Sequence, residues 1–132
     1  MQKVSLNLLK KKLKNYPHLI ELEHFLKNID KTNLKLVLIF GSLAKGTYTQ
    51  FSDIDLLCVF DKSFASMKER FLEAYQYSEG LVQPKTITFQ ELKNGLKEGN
   101  SFLHGIFKDG IIIYSKISQN EILAWIKEGE SK

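Results

Sequence analysis

The chain has 132 residues, enough for one hydrophobic core and too few for two. Hydrophobic residues make up 43% of it and charged residues 26%, which excludes a wholly disordered chain. The formal charge is +4, from 19 basic and 15 acidic residues, a mild excess that suits a nucleotide or nucleic-acid ligand without requiring one.

In chain order, Leu6, Leu9 and Leu13 share one face and predict a first helix over Leu6 to Leu13. Lys3, Lys10, Lys11, Lys12 and Lys14 fall in the first 20 residues with no acid among them; such a run reads first as a solvated helix face and second as a phosphate- or partner-facing patch. Pro17 separates this helix from a second over His18 to Ile29, carried by Leu19, Leu22, Phe25, Leu26 and Ile29. Residues 1–30 thus form an N-terminal helical segment, closed by a polar turn over Asp30 to Asn33.

Leu34 to Phe40 is a near-continuous apolar run and predicts a strand buried on both faces. Gly41 ends it. Ser42 is placed to cap a short helix over Leu43 to Lys45, which Gly46 stops. A polar loop, Thr47 to Ser52, leads to a second buried strand over Asp53 to Phe60. Phe64 to Glu79 reads as a helix with Met67, Phe71, Ala74 and Tyr75 along one side, packing on the sheet, and Gly80 ends it. Val82 to Thr88 is a strand weakened by Pro84 and so placed near an edge. Short helices over Glu91 to Lys97 and Ser101 to Phe107, a strand over Ile111 to Tyr114 and a helix over Glu121 to Lys127 capped by Ser118 complete the pattern. The whole reads as one α/β (α+β) domain over residues 1–132: a core over 34–114, a C-terminal helix over 118–128, and a small mixed sheet with helices packed on it.

The single cysteine, Cys58, excludes an intrachain disulfide and a cysteine zinc cluster and reads as a small buried hydrophobe. No apolar run approaches the roughly 20 residues of a membrane span, and no secretory signal pattern is present. These features predict a reducing, cytoplasmic setting with no membrane partner.

The informative stretch is Phe40-Gly41-Ser42-Leu43-Ala44-Lys45-Gly46 followed by Ser52-Asp53-Ile54-Asp55-Leu56. Glycine after a buried strand lets a ligand approach the backbone. Amides at the start of the short helix and the Ser42 hydroxyl make an anion site, to which Lys45 adds charge. Asp53 and Asp55 stand two apart, on one side of a strand. Two carboxylates among apolar neighbours need compensation, and magnesium, which completes its shell with waters and substrate phosphates, supplies it economically. Phosphate donors beside a metal platform form the core of a phosphoryl- or nucleotidyl-transfer site.

This pair of motifs closely resembles the signature of the polymerase-beta-like nucleotidyltransferases, Gly-Ser-x-Ala-Arg-Gly then Ser-Asp-x-Asp-Leu, and in particular their minimal members. The detailed match covers Phe40 to Leu57; a looser likeness extends to about Tyr114. The resemblance implies the nucleotidyltransferase fold. It implies that a nucleoside triphosphate, taken here as ATP, places its phosphates on Gly41, Ser42 and Lys45, with Gly46 permitting the turn and Ser52 orienting the aspartate loop. It implies Asp53 and Asp55 as catalytic ligands of magnesium or manganese, and transfer of AMP to a hydroxyl on a protein or small molecule. Minimal members are often paired with a helical protein of the HEPN type in a toxin–antitoxin couple.

The chain departs from the pattern in carrying Lys45 for the usual arginine, which keeps the charge and loses the bidentate fork. It also has no acid on the strand Val82 to Phe89, where active members carry a third carboxylate; Gln83 is a weak substitute and Lys85 repels a metal. That omission supports an alternative expectation: a catalytically weak or inactive member that acts as a partner-binding, antitoxin-like subunit. The edge strand and apolar helix pair are compatible with a homodimer. No recognition-helix or stacking-platform pattern supports direct nucleic-acid binding. His18, His24 and His104 read as structural or surface residues, and Trp125, Phe71 and Tyr75 as faces packed on the sheet. Tyr48 and Phe51 read first as loop packing and second as flanks for a nucleobase.

Overall fold

In the computed structural model, which describes residues 2–132, the chain opens with a two-residue strand β1 (Gln2–Lys3) and helix α1 (Leu6–Lys12). Ser5 caps α1, its hydroxyl accepting from the Leu8 N–H at 3.1 Å, and Lys10, Lys11 and Lys12 sit in the last turn, where they complement the helix dipole. Pro17 lies in the turn before α2 (Leu19–Asn28). Strand β2 (Leu34–Phe40) follows, then the short α3 (Ser42–Lys45) and strand β3 (Ile54–Phe60). Helix α4 (Met67–Tyr75) carries the chain across to strand β4 (Val82–Thr88), which lies parallel to β3. Helices α5 (Phe89–Lys97) and α6 (Ser101–Asp109), strand β5 (Ile111–Ser115) and α7 (Gln119–Glu130) complete the fold.

Among the described residues the five strands form one mixed sheet in the order β1-β5-β2-β3-β4. β2 runs antiparallel to β3 and to β5, and β1 parallel to β5. β2 and β3 are the central strands, covered on both sides, which is why their sequences are unbroken apolar runs. One face is closed by α1 and α2, with Leu9, Leu22 and Phe25 packed against Val37, Ile39, Leu56 and Cys58. The other is closed by α5, α6 and α7, with Leu92, Leu96, Phe107 and Ile122 against Leu36, Leu38, Leu57 and Val59. Phe25, Phe60 and Phe107 are completely covered, and burial of each contributes about 1.5–3 kcal/mol. A capping box fixes the start of α5: the Thr88 hydroxyl accepts from the Glu91 N–H and the Glu91 carboxylate accepts from the Thr88 N–H.

Four local expectations need correction. Strand β1 is added, held by backbone bonds to β5 and hence invisible to a hydropathy pattern. Asp53 lies just before β3 rather than inside it. Gly41, not Ser42, holds the cap position of α3, because the chain must leave β2 at φ +74°, a conformation suited to glycine. Helix α4 is shorter than Phe64 to Glu79, and it turns Ala74 inward while Met67, Phe71 and Tyr75 face solvent. No helix of the described residues is long and apolar enough to cross a membrane.

Candidate active site

The two halves of the motif meet where β2 and β3 lie side by side. Phe40 is the register partner of Asp55, so the residue after it, Gly41, comes up against the Asp55 side chain. A Cβ built on Gly41 would lie 2.5 Å from Asp55 Oδ2. Glycine is therefore required twice, for the positive φ and for the carboxylate that occupies the space a side chain would fill. The chain then turns into α3, whose Lys45 N–H donates to Gly41 O at 3.1 Å. Gly46, at φ +80°, closes the turn, and Thr47 N–H donates to Ser42 O. The Ser42 hydroxyl makes no hydrogen bond among the described residues, and Lys45 is exposed.

Ser52 anchors the loop ahead of the carboxylates. Its hydroxyl accepts from the Thr49 N–H at 2.9 Å, and its own N–H donates to Thr49 O. The Ser52 carbonyl accepts from the Tyr16 hydroxyl, which reaches it from the turn between α1 and α2. Tyr16 is buried, edge-on to Tyr48 and to His18. Burial, and then the negative charges of Glu21, Asp53 and Asp55, push its phenol up to about 12, so it remains a donor through the neutral range. Tyr16 carried no sequence signal beyond its place before Pro17. Tyr48 packs within the fold, while Phe51 stands 76% exposed.

Asp55 is half-buried and Asp53 exposed. Burial, and then the neighbouring Asp53, raise the Asp55 carboxyl above its ordinary value. Neither carboxylate has an ion-pair or side-chain hydrogen-bond partner among the described residues, and no third acidic, histidine or cysteine side chain joins them. Two neighbouring carboxylates without a compensating cation fit a hard divalent cation that takes its remaining ligands from water and phosphate.

Phe40 is the ridge between two adjoining cavities. One, of about 450 Å³, is lined by Gly41, Lys45, Ser101, Phe102, Gly105 and Lys108 among others. The second, of about 420 Å³, is lined by Asp55, Arg70, Phe71, Gln83, Lys85 and Thr86 among others. Gln83 is the register partner of Asp55 on β4, so the residue beside Asp55 on the neighbouring strand is an amide and not a carboxylate. Lys85 lies over the Phe102 ring at 5.4 Å. His24, which pairs with Glu79, and His104, whose ring bonds Leu96 O, stand away from this chemistry, while His18 pairs with Glu21 beside the Tyr16 ring.

Residues 21–119 match the family described as Polymerase beta, Nucleotidyltransferase. Over 97 residues the chain is 32% identical to MJ0604 of Methanocaldococcus jannaschii, which carries the provisional name protein adenylyltransferase; the match covers 71% of this chain and 92% of that protein. Its fold is similar to a crystal structure provisionally described as a nucleotidyltransferase from Sulfolobus solfataricus, at 22% identity, TM-score 0.53 and coverage of 86% and 89% of the two chains. It is also similar to a toxin–antitoxin structure containing AMP-PNP, at 19% identity, TM-score 0.52 and coverage of 83% and 81%.

Proposed function

Because the chain belongs to the polymerase beta nucleotidyltransferase family, we propose that it transfers AMP from ATP to a hydroxyl group, on a protein in preference to a small molecule. The observation that carries this reading is the contact between Gly41 and Asp55: the phosphate-binding turn and a metal-binding carboxylate share one point of the fold. The relative MJ0604, named a protein adenylyltransferase, supports ATP as the donor and protein as the acceptor.

Gly41, Ser42 and Lys45 hold the β- and γ-phosphates in the first cavity, using backbone amides, a free hydroxyl and one cation. Asp53 and Asp55 hold magnesium, which when bound neutralises charge on the phosphates and lowers the barrier to displacement at the α-phosphorus. The acceptor hydroxyl enters from the Gln83 side of Asp55, in line with the departing pyrophosphate. Its oxygen bonds to the α-phosphorus, the bond from that phosphorus to the bridging oxygen of the β-phosphate breaks, and pyrophosphate leaves. With no carboxylate on β4 the hydroxyl proton passes to solvent. A positioned base contributes typically about 10²–10⁴-fold, so transfer here is slow.

Calorimetric titration of ATP with and without magnesium, repeated on the Asp53→Asn/Asp55→Asn double variant, tests the site. Metal-dependent binding that the variant loses is expected; a wild type that binds no ATP would sink the reading.

The amide at Gln83 favours a second reading, in which the chain is a weak transferase that acts chiefly by docking a helical HEPN-type partner as the antitoxin-like subunit. The toxin–antitoxin neighbour is in keeping with it. A stoichiometric complex with such a protein that persists in the Asp53→Asn/Asp55→Asn variant is the expected result; failure to form any complex would remove it.

A further inference from the structure

Asp53 is the exposed member of the carboxylate pair, outside the sheet and without a side-chain partner. Its direction therefore depends on its backbone. Both peptide groups that flank it are held, and both holds lead to the N-terminal helical segment. The peptide group before Asp53 presents its carbonyl, Ser52 O, to the Tyr16 hydroxyl. The peptide group after it presents the Ile54 N–H, which donates to Leu81 O at 2.8 Å. Leu81 is in turn fixed through its own N–H, which donates to the Glu21 carboxylate at 2.8 Å. Glu21 lies so close under Gly80, a residue at φ +56°, that a Cβ there would overlap its carboxylate. Tyr16 and Glu21 stand on either side of Pro17, whose fixed backbone limits their relative motion.

We propose that Tyr16 and Glu21 are positioning residues that clamp the backbone on both sides of Asp53, and so set the affinity of the carboxylate pair for a divalent cation. The inference rests on the metal-dependent nucleotide site proposed above. It gives the N-terminal helical segment a role in the chemistry, because the direction of the Asp53 side chain is set from the turn between α1 and α2 and from the first turns of α2. Groups that orient a metal ligand typically govern about 10–100-fold in metal affinity.

The test uses the full chain and two measurements. Tyr16→Phe keeps the ring packing against Tyr48 and His18 and removes the hydroxyl. Glu21→Ala removes the other hold, and Glu21→Gln restores an acceptor for the Leu81 N–H. The manganese concentration for half-maximal ATP binding should rise about tenfold in Tyr16→Phe and Glu21→Ala, return toward wild type in Glu21→Gln, and be overcome at saturating metal. Hydrogen exchange on the metal-free protein should quicken at Ser52 and Ile54 in Tyr16→Phe, with α2 unchanged. An unshifted manganese requirement in Tyr16→Phe, or a loss of affinity that no metal concentration restores, would overturn the clamp. If the wild type bound ATP without regard to metal, the functional reading itself would fall and the inference with it.

Discussion

The site is made of two halves that differ in how firmly they are built. The β2–β3 half is central in the sheet: Phe40 registers on Asp55, Gly41 rests against that carboxylate, and the strands behind are buried on both faces. The β4–α4 half is an edge. Pro84 interrupts the donor pattern of β4, and the Thr86 hydroxyl is buried with no hydrogen-bond partner among the described residues, at a cost of about 1–3 kcal/mol. Met67, Phe71 and Tyr75 of α4 face solvent. The half proposed to face the nucleotide is thus fixed by close packing, whereas the half proposed to meet the acceptor has no carboxylate on its strand and is sterically open. A fold of this kind can hold its donor subsite constant while the acceptor subsite changes by substitution along an edge strand and one surface helix.

The largest expected effect falls on the firm half. Asp55→Asn should lower AMP transfer by on the order of 10³-fold, measured as label moved from α-labelled ATP. The same variant should raise the melting temperature of the metal-free protein at neutral pH. The sign follows from the raised carboxyl of Asp55. Its protonated form is favoured by folding, so its stabilising contribution is present below the ordinary aspartate value and lost as pH rises through the folded one. A neutral amide removes that loss. By the same sign, magnesium binding should strengthen as pH rises through the Asp55 titration.

Gly41→Ala comes next. Backbone strain at φ +74° and the overlap with Asp55 together should cost about 2–3 kcal/mol in a urea titration. Adding Asp55→Ala should recover only part of that, because the overlap is relieved and the backbone strain is not.

The open half should respond in the opposite direction. Gln83→Asp places a carboxylate beside Asp55 in register, and transfer should rise by about 10²-fold, the lower end of what a positioned base supplies. An unchanged rate would show that the incompleteness of this half is not what limits catalysis. The smallest effect is expected at Phe71→Ala, which should change stability by no more than about 0.5 kcal/mol; a loss of several kcal/mol would mean that α4 belongs to the firm half after all.

This asymmetry also governs what was legible in the sequence. β2 and β3 announce themselves as apolar runs because burial on both faces demands it, and the Gly41, Asp53 and Asp55 spacing is readable because a glycine turn and two nearby acids are chemically uncommon together. Helix α4 was not legible in orientation: the spacing of Met67, Phe71 and Tyr75 defines a face but not which way it points, and only Ala74 is fully covered. Ser42 looked like a cap because serine commonly serves as one; the glycine before it took that place and left the hydroxyl available. Asp53 looked like a strand residue because alternation does not mark where pairing starts. Tyr16 was unreadable, since its partner is a backbone carbonyl far away in sequence, and carbonyls carry no residue signature.

Cys58 lies at the centre of β3, opposite Val37, with no exposed surface, and burial pushes its thiol far up. A thiol in that position is unreactive until the sheet itself parts. The rate at which an alkylating reagent labels this single thiol is therefore a built-in clock for opening of the middle of the molecule, readable without any added chromophore and on the same strand that carries Asp55.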